Sequence, residues 1–301
     1  MKIIYILLSI IFPSLIFAES ITNDFQSYIT GMTLWDEGKL QEAEKPFESV
    51  INSKNLSIKL RVDSVIAYSL IKENEHQFLE SSKVVIAFLD ENKTLQNDLK
   101  IKLLLRLSKL YRNPEVASFK SSYQTAKETL TLSPDDSSAL LNHSVACIGY
   151  AGLLKKQSLT ETEPSKKSLL QKSSLEILES GFNSAQKITK SNQDEEFLGQ
   201  AYNTMGRIKY NEDKFQEASI YFKNAYSHLP NPTFHRNRGW ALFGGISKSL
   251  KGNDKLTVLK EVKKEFQTAI DGGDKDGETV AQMDNLDYEI NQLQSKAREK
   301  K

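Results

Sequence analysis

The sequence predicts an all-α protein assembled from repeated helical hairpins, and three observations carry that expectation. The chain writes one phrase twice: KLQEAEKPFESVI over 39–51 returns as KFQEASIYFKNAY over 214–226, with an alanine and, four places on, a phenylalanine in each. Glycine (14) and proline (7) are few among 301 residues, whereas strand-rich and βαβ folds need more turn residues. Apolar residues also recur at helical spacing through most of the chain after residue 19.

The first element, MKIIYILLSIIFPSLIFA over 1–18, has Lys2 followed by an uncharged, mostly apolar run that ends at Ala18 before Glu19. That is the pattern of a secretory leader, with cleavage expected between Ala18 and Glu19. The run from Ile3 to Phe17 is shorter than the roughly 20 residues that span a bilayer, and Pro13 interrupts it. Its removal takes away Lys2 and leaves 39 basic against 39 acidic residues. Such balance argues against nucleic acid or anionic lipid as partner. Cys147 is the only cysteine, so no intramolecular disulfide forms and no lipid-bearing cysteine follows the leader. The expected product is exported, to a periplasm or to the medium.

The clearest hairpin runs over 199–232. Counted from Gly199, Tyr202, Met205, Gly206, Ala218, Phe222, Ala225 and Pro230 occupy positions 4, 7, 8, 20, 24, 27 and 32. Gly206 and Ala218 are small where antiparallel helices touch, Phe222 fills the space beside them, and Pro230 stops the second helix. This spacing resembles the tetratricopeptide repeat (TPR), a 34-residue helix-turn-helix unit. The N-terminal copy, 24–57, places Gly31, Leu34, Gly38, Ala43 and Phe47 on the same scheme. It departs at Ser27 and Asn55, and at Pro46 inside its second helix, where a kink is expected.

Ala43 and Ala218 lie 175 positions apart, and five periods of 34 make 170, so degenerate repeats and a short insertion fill the interval. Helical pairs are expected at Ile58–Lys72 with His76–Leu89 and at Leu95–Tyr111 with Glu115–Leu132. Another couples Ser137–Leu154 to Ser168–Thr189, with the insertion at Gln157–Lys167. A last pair is expected at Thr233–Leu250 and Leu256–Ile270. The resemblance thus implies a right-handed α-solenoid of about six TPR-like hairpins over 19–275. The charged tail 276–301 carries Met283, Leu286, Ile290, Leu293 and Ala297 on one stripe, which suits a helix that caps the last hairpin.

Little in the chain points to catalysis. His143 and Cys147 share a helical face, but no orienting acid or oxyanion donor is recognisable beside them. The run Asp271–Met283 looks like a calcium loop, yet registering it on Gly277 puts Gly272 and Met283 at the first and last ligand positions. The four histidines, His76, His143, His228 and His235, form no metal-ligand spacing, and the phosphate-binding and hydrolase motifs are missing. No enzyme activity, cofactor or metal is expected.

The resemblance implies binding instead, through positions 2, 5, 9, 12 and 13 of each first helix. These are Gln200, Asn203, Arg207, Tyr210 and Asn211 in the best copy, with Asn237 extending the stripe, and Phe25, Tyr28, Met32, Trp35 and Asp36 in the first. The first set is built to hydrogen-bond a backbone or a carboxylate and the second to bury an apolar side chain, unless part of either set packs on the neighbouring repeat. Two functions follow: an exported scaffold that holds a protein or peptide, or an accessory subunit of a solute-uptake system with a small-ligand cavity.

Overall fold

The computed structural model describes residues 23–246 and 250–298. The expected leader and its cleavage point lie outside them, as do residues 299–301 of the tail. The described chain is helical throughout, and it divides into two compact units between Leu132 and Ser133.

The first unit holds three hairpins: α1 (23–36) with α2 (Leu40–Asn52), α3 (Ile58–Asn74) with α4 (Phe78–Glu91), and α5 (Asn97–Tyr111) with α6 (Phe119–Leu132). Gly38 turns α1 into α2 with φ of 74°, a left-handed conformation glycine adopts without strain. His76 and Asp213 take the same conformation in the equivalent turns of later hairpins. Residues with short polar or imidazole side chains tolerate it better than most. Helix α2 continues through Pro46 from Leu40 to Asn52. Ala43, Phe47 and Ile71 form one buried cluster, and Val62, Val65, Val85, Phe88, Leu99, Leu103, Leu107 and Leu110 form another.

The second unit contains α7 (Ser137–Thr160) with α8 (Pro164–Ser191), α9 (Glu195–Asn211) with α10 (Phe215–His228), α11 (Pro232–Gly244) with α12 (Gly252–Asp271), and α13 (Gly277–Arg298). Asp136, Asp194 and Asn231 cap α7, α9 and α11 by accepting backbone N–H bonds of 2.8 to 2.9 Å. Helix α13 lays Leu286 and Ile290 on Leu259, Val262 and Phe266, with Met283 and Leu293 beside them.

Two expectations need correction. The polar stretch 157–167 is not a separate insertion: α7 runs on to Thr160, α8 starts at Pro164, and only 161–163 link them. Lys, Gln and Leu are good helix formers, and proline at the first helical position gives up an N–H that has no helical partner anyway. Helix α11 stops at Gly244, six residues before the expected Leu250, because two consecutive glycines end it.

The hairpins close in two chemically different ways. In three of them the ring of a buried phenylalanine lies against a glycine: Phe47 on Gly31, Phe222 on Gly206 and Phe266 on Gly239. A Cβ on those glycines would fall 2.9, 2.7 and 2.4 Å from the ring. Between them, serines replace the small pair. Ser69 and Ser81 meet at 3.0 Å, and the Ser81 hydroxyl donates to the Ser69 carbonyl at 2.7 Å. Ser108 and Ser122 each donate to the other's carbonyl, at 3.0 and 2.9 Å. Ser144 donates to the Gly181 carbonyl at 2.7 Å. A hydroxyl satisfied across the contact holds two helices nearly as close as glycine and alanine do.

Candidate functional site

The contact of Gly206 with Phe222 fixes the rotation of α9. Since Gly206 faces α10, Arg207 and Tyr210 turn toward α11, three residues and about one turn apart. They open on a pocket of about 340 Å³ lined by Arg207, Tyr210, Asn211, Phe222, Asn237, Trp240 and Glu278. It lies wholly within the second unit.

Each wall has a local cause. The side chain of Asn211 donates to the Arg207 carbonyl at 2.8 Å, and its own carbonyl accepts from Lys155 at 2.9 Å. Trp240 follows Gly239 as Arg207 follows Gly206, and its ring lies 5.0 Å from Phe266. The Trp240 indole donates to Thr279 Oγ1 at 3.1 Å, and Thr279 donates in turn to Asp276 at 2.7 Å. That chain docks the first turn of α13 and brings Glu278 to the pocket. The Tyr210 ring meets Phe215 edge-on at 5.3 Å. Burial pushes the Tyr210 phenol up, and the Glu278 and Asp213 carboxylates push it further, so it is a neutral hydroxyl.

Arg207 is the unusual member. Burial, and then the neighbouring Arg236 guanidinium, make its charge costly and lower its pKa. Among the described residues it forms no ion pair and no side-chain hydrogen bond. Arg236 is already held by Asp274 at 3.0 Å and Asp276 at 3.8 Å, which also accounts for the acidic run that mimics a calcium loop. Among the described residues no group of three or more His, Cys, Asp or Glu could hold a metal ion.

Of the residues singled out from sequence, Arg207, Tyr210, Asn211 and Asn237 come together here. Gln200 lies outside the pocket, its carbonyl accepting from Thr204 at 2.8 Å. Asn203 does not face a partner as its position implies; it is buried, and Asn237 donates to it at 3.0 Å. Gly239 lies 33 residues after Gly206, so the α9–α10 repeat is one residue short of 34, and Asn237 on α11 bonds directly to Asn203 on α9. In the first unit, Met32 and Trp35 pack on the Ala43, Phe47 and Ile71 cluster, with Trp35 edge-on to Phe47 at 6.4 Å. Tyr28 is partly buried, Phe25 is 49% exposed and Asp36 is exposed. The Trp240 and Glu278 walls are not among the sequence candidates.

A second hollow, of about 830 Å³, runs beside α8 and α9. Several of its charges are already matched, Lys172 to Glu176 at 3.8 Å, Lys209 to Glu212 at 3.0 Å and Lys214 to Glu212 at 2.8 Å. It therefore offers less to a charged ligand than the first. His143 and Cys147 do meet, with Nε2 3.6 Å from Sγ, but His143 Nδ1 also lies 2.9 Å from Ser184 Oγ. Burial pushes the Cys147 thiol up to about 12, so at neutral pH it is not the thiolate that nucleophilic catalysis requires.

No family model matches the sequence, and no curated protein matches it. Among solved structures the chain is similar to a thermophilic TPR protein of Thermus thermophilus, at a TM-score of 0.51 and 10% identity over 75% of this chain and 98% of that one. It is also similar to a tetratricopeptide repeat protein from Parabacteroides merdae, at 0.45 and 13% over 87% and 99% of the two chains. YrrB, a TPR protein with an unusual peptide-binding site, matches at 0.46 and 10% over 72% and 94%. The chain has the all-α TPR fold. Among the described residues no helix is long and apolar enough to cross a membrane.

Proposed function

We propose that the protein is a non-enzymatic scaffold that binds a protein or peptide partner, and that the pocket between α9, α11 and α13 receives a segment of that partner. The observation that carries this reading is Arg207. A partly buried cation that pairs with no carboxylate carries an uncompensated desolvation cost, so its presence among Tyr210, Phe222 and Trp240 makes sense if a ligand supplies the missing charge. Aromatic and arginine anchors in a partly enclosed pocket are also the residues that dominate binding energy at interfaces.

The leader pattern supports export of this scaffold, with a mature chain that begins at Glu19 and works in a periplasm or outside the cell. Intact-mass measurement on the exported protein should give that species; a mass that retains Met1 or includes a lipid rejects it.

The binding reading is tested by panning a random heptapeptide library, displayed on phage, against the mature chain. A consensus should emerge, and its synthetic peptide should lose roughly 2 kcal/mol or more of binding to an Arg207→Ala, Tyr210→Ala variant. The variant should melt close to the wild-type temperature, since neither side chain belongs to the buried core that closes the hairpin. No consensus, or equal affinity for the variant, rejects the pocket as a peptide site. The first of these results leaves the small-solute carrier as the competing reading, since the pocket volume lies in the range of small-molecule sites.

A further inference from the structure

Two of the pocket's lining residues are charged, Arg207 and Glu278, and their charges are opposite. Neither is within ion-pair distance of the other or of any other described residue. The charges around them are already matched: Arg236 by Asp274 and Asp276, and Asp213 by Lys155 at 3.1 Å. The arrangement is also held from outside the pocket. Trp240 is fixed to Thr279, and Thr279 is fixed by its hydroxyl and its backbone N–H to Asp276, so the turn that carries Glu278 is anchored to α11. Tyr210, Phe222 and Trp240 supply apolar surface in the same pocket.

Resting on the peptide-binding reading above, we infer that the bound segment is bipolar: it presents an acidic group to Arg207, a basic group to Glu278, and an apolar side chain to Tyr210, Phe222 and Trp240. An acid-only segment satisfies Arg207 but meets repulsion from Glu278, and a base-only segment meets the reverse. The pair therefore rejects wrong partners as well as attracting the right one. This differs from a site that simply gathers anions, because Glu278 lowers the positive potential that such a site requires.

The same displayed heptapeptide library decides the matter. On wild-type protein the consensus should contain one acidic and one basic residue around an apolar one. On Glu278→Gln the basic position should lose its enrichment while the acidic one persists, and on Arg207→Met the acidic position should lose its enrichment. On the exchange Arg207→Glu with Glu278→Arg the order of the two charges should reverse. Trp240 fluorescence in a Trp35→Phe background then reports titration of the synthetic consensus peptide, whose affinity should fall about tenfold or more when its basic residue is made neutral. Acid-only peptides on wild-type protein, or an unchanged consensus on Glu278→Gln, overturn the bipolar inference and leave peptide binding standing. A library that yields no consensus on wild-type protein overturns both.

Discussion

Ala218→Leu should lower the stability of the second unit by roughly 1 to 3 kcal/mol or more, the usual cost of adding methylene groups to a filled core. Ala218 is fully buried in a cluster with Phe222 and Ala241, and the Phe222 ring is already held against Gly206 with no room for a Cβ. Ala43→Leu should have a comparable effect in the first unit, where Ala43 is fully buried with Phe47 and Ile71. Ile220→Ala is the control on the same helix as Ala218: its side chain is 59% exposed, so its effect should stay within about 0.5 kcal/mol. Urea denaturation of the three variants checks the set. If both leucine variants unfold at the wild-type midpoint, the shared register of the two hairpins is wrong.

That register is legible in the sequence because it rests on size alone. Two phrases with the same small and large residues at the same spacing form α2 and α10, each with its alanine and phenylalanine buried. The serine-closed hairpins are not legible in the same way. Serine is ordinarily a surface or capping residue, and only the bond of the Ser81 hydroxyl to the Ser69 carbonyl and the reciprocal hydroxyl-to-carbonyl bonds of Ser108 with Ser122 show it taking the place of Gly206 and Ala218. Gly239 and Phe266 form the same contact as Gly206 and Phe222, but a long link between α11 and α12 separates them and breaks the period.

The pocket divides along the same line. Arg207, Tyr210 and Asn211 follow from the face that Gly206 leaves to them, which is local helix geometry. Asn203 escapes that reasoning because its exposure depends on the next hairpin, whose Asn237 bonds to it. Trp240 becomes visible only once Gly239 is recognised as the counterpart of Gly206. Glu278 comes from a helix whose capping stripe is legible, but its first turn is placed by the Trp240 bond to Thr279, a tertiary contact that no spacing along the chain encodes.

Arg106 should carry the second large effect, because it joins three helices of the first unit in a single buried network. Its guanidinium donates to Ser69 Oγ at 2.6 Å, to the Ser69 carbonyl at 2.9 Å and to Ser81 Oγ at 3.4 Å, and it also pairs with Glu73. Arg106→Met removes the cation and leaves Glu73 and the two hydroxyls behind. Orphaning one partner of a fully buried pair costs about 3 to 5 kcal/mol, and the partial exposure of Glu73 brings the expectation here to about 2 to 3 kcal/mol. The pair also predicts a pH dependence. Burial alone would raise the Glu73 carboxyl, but the hydrogen bond and charge of Arg106, followed by Lys109, outweigh burial and hold it below the usual carboxylate range. Because the folded value is depressed, the contribution is complete above the unfolded value of about 4.3 and disappears as pH falls through the folded one. Glu73→Gln should therefore destabilise the protein at neutral pH and flatten the loss of stability below about pH 4.3, which urea midpoints measured on either side of that value will show. Parallel pH profiles for the wild type and Glu73→Gln would mean that the acid sensitivity of the first unit lies with other carboxylates.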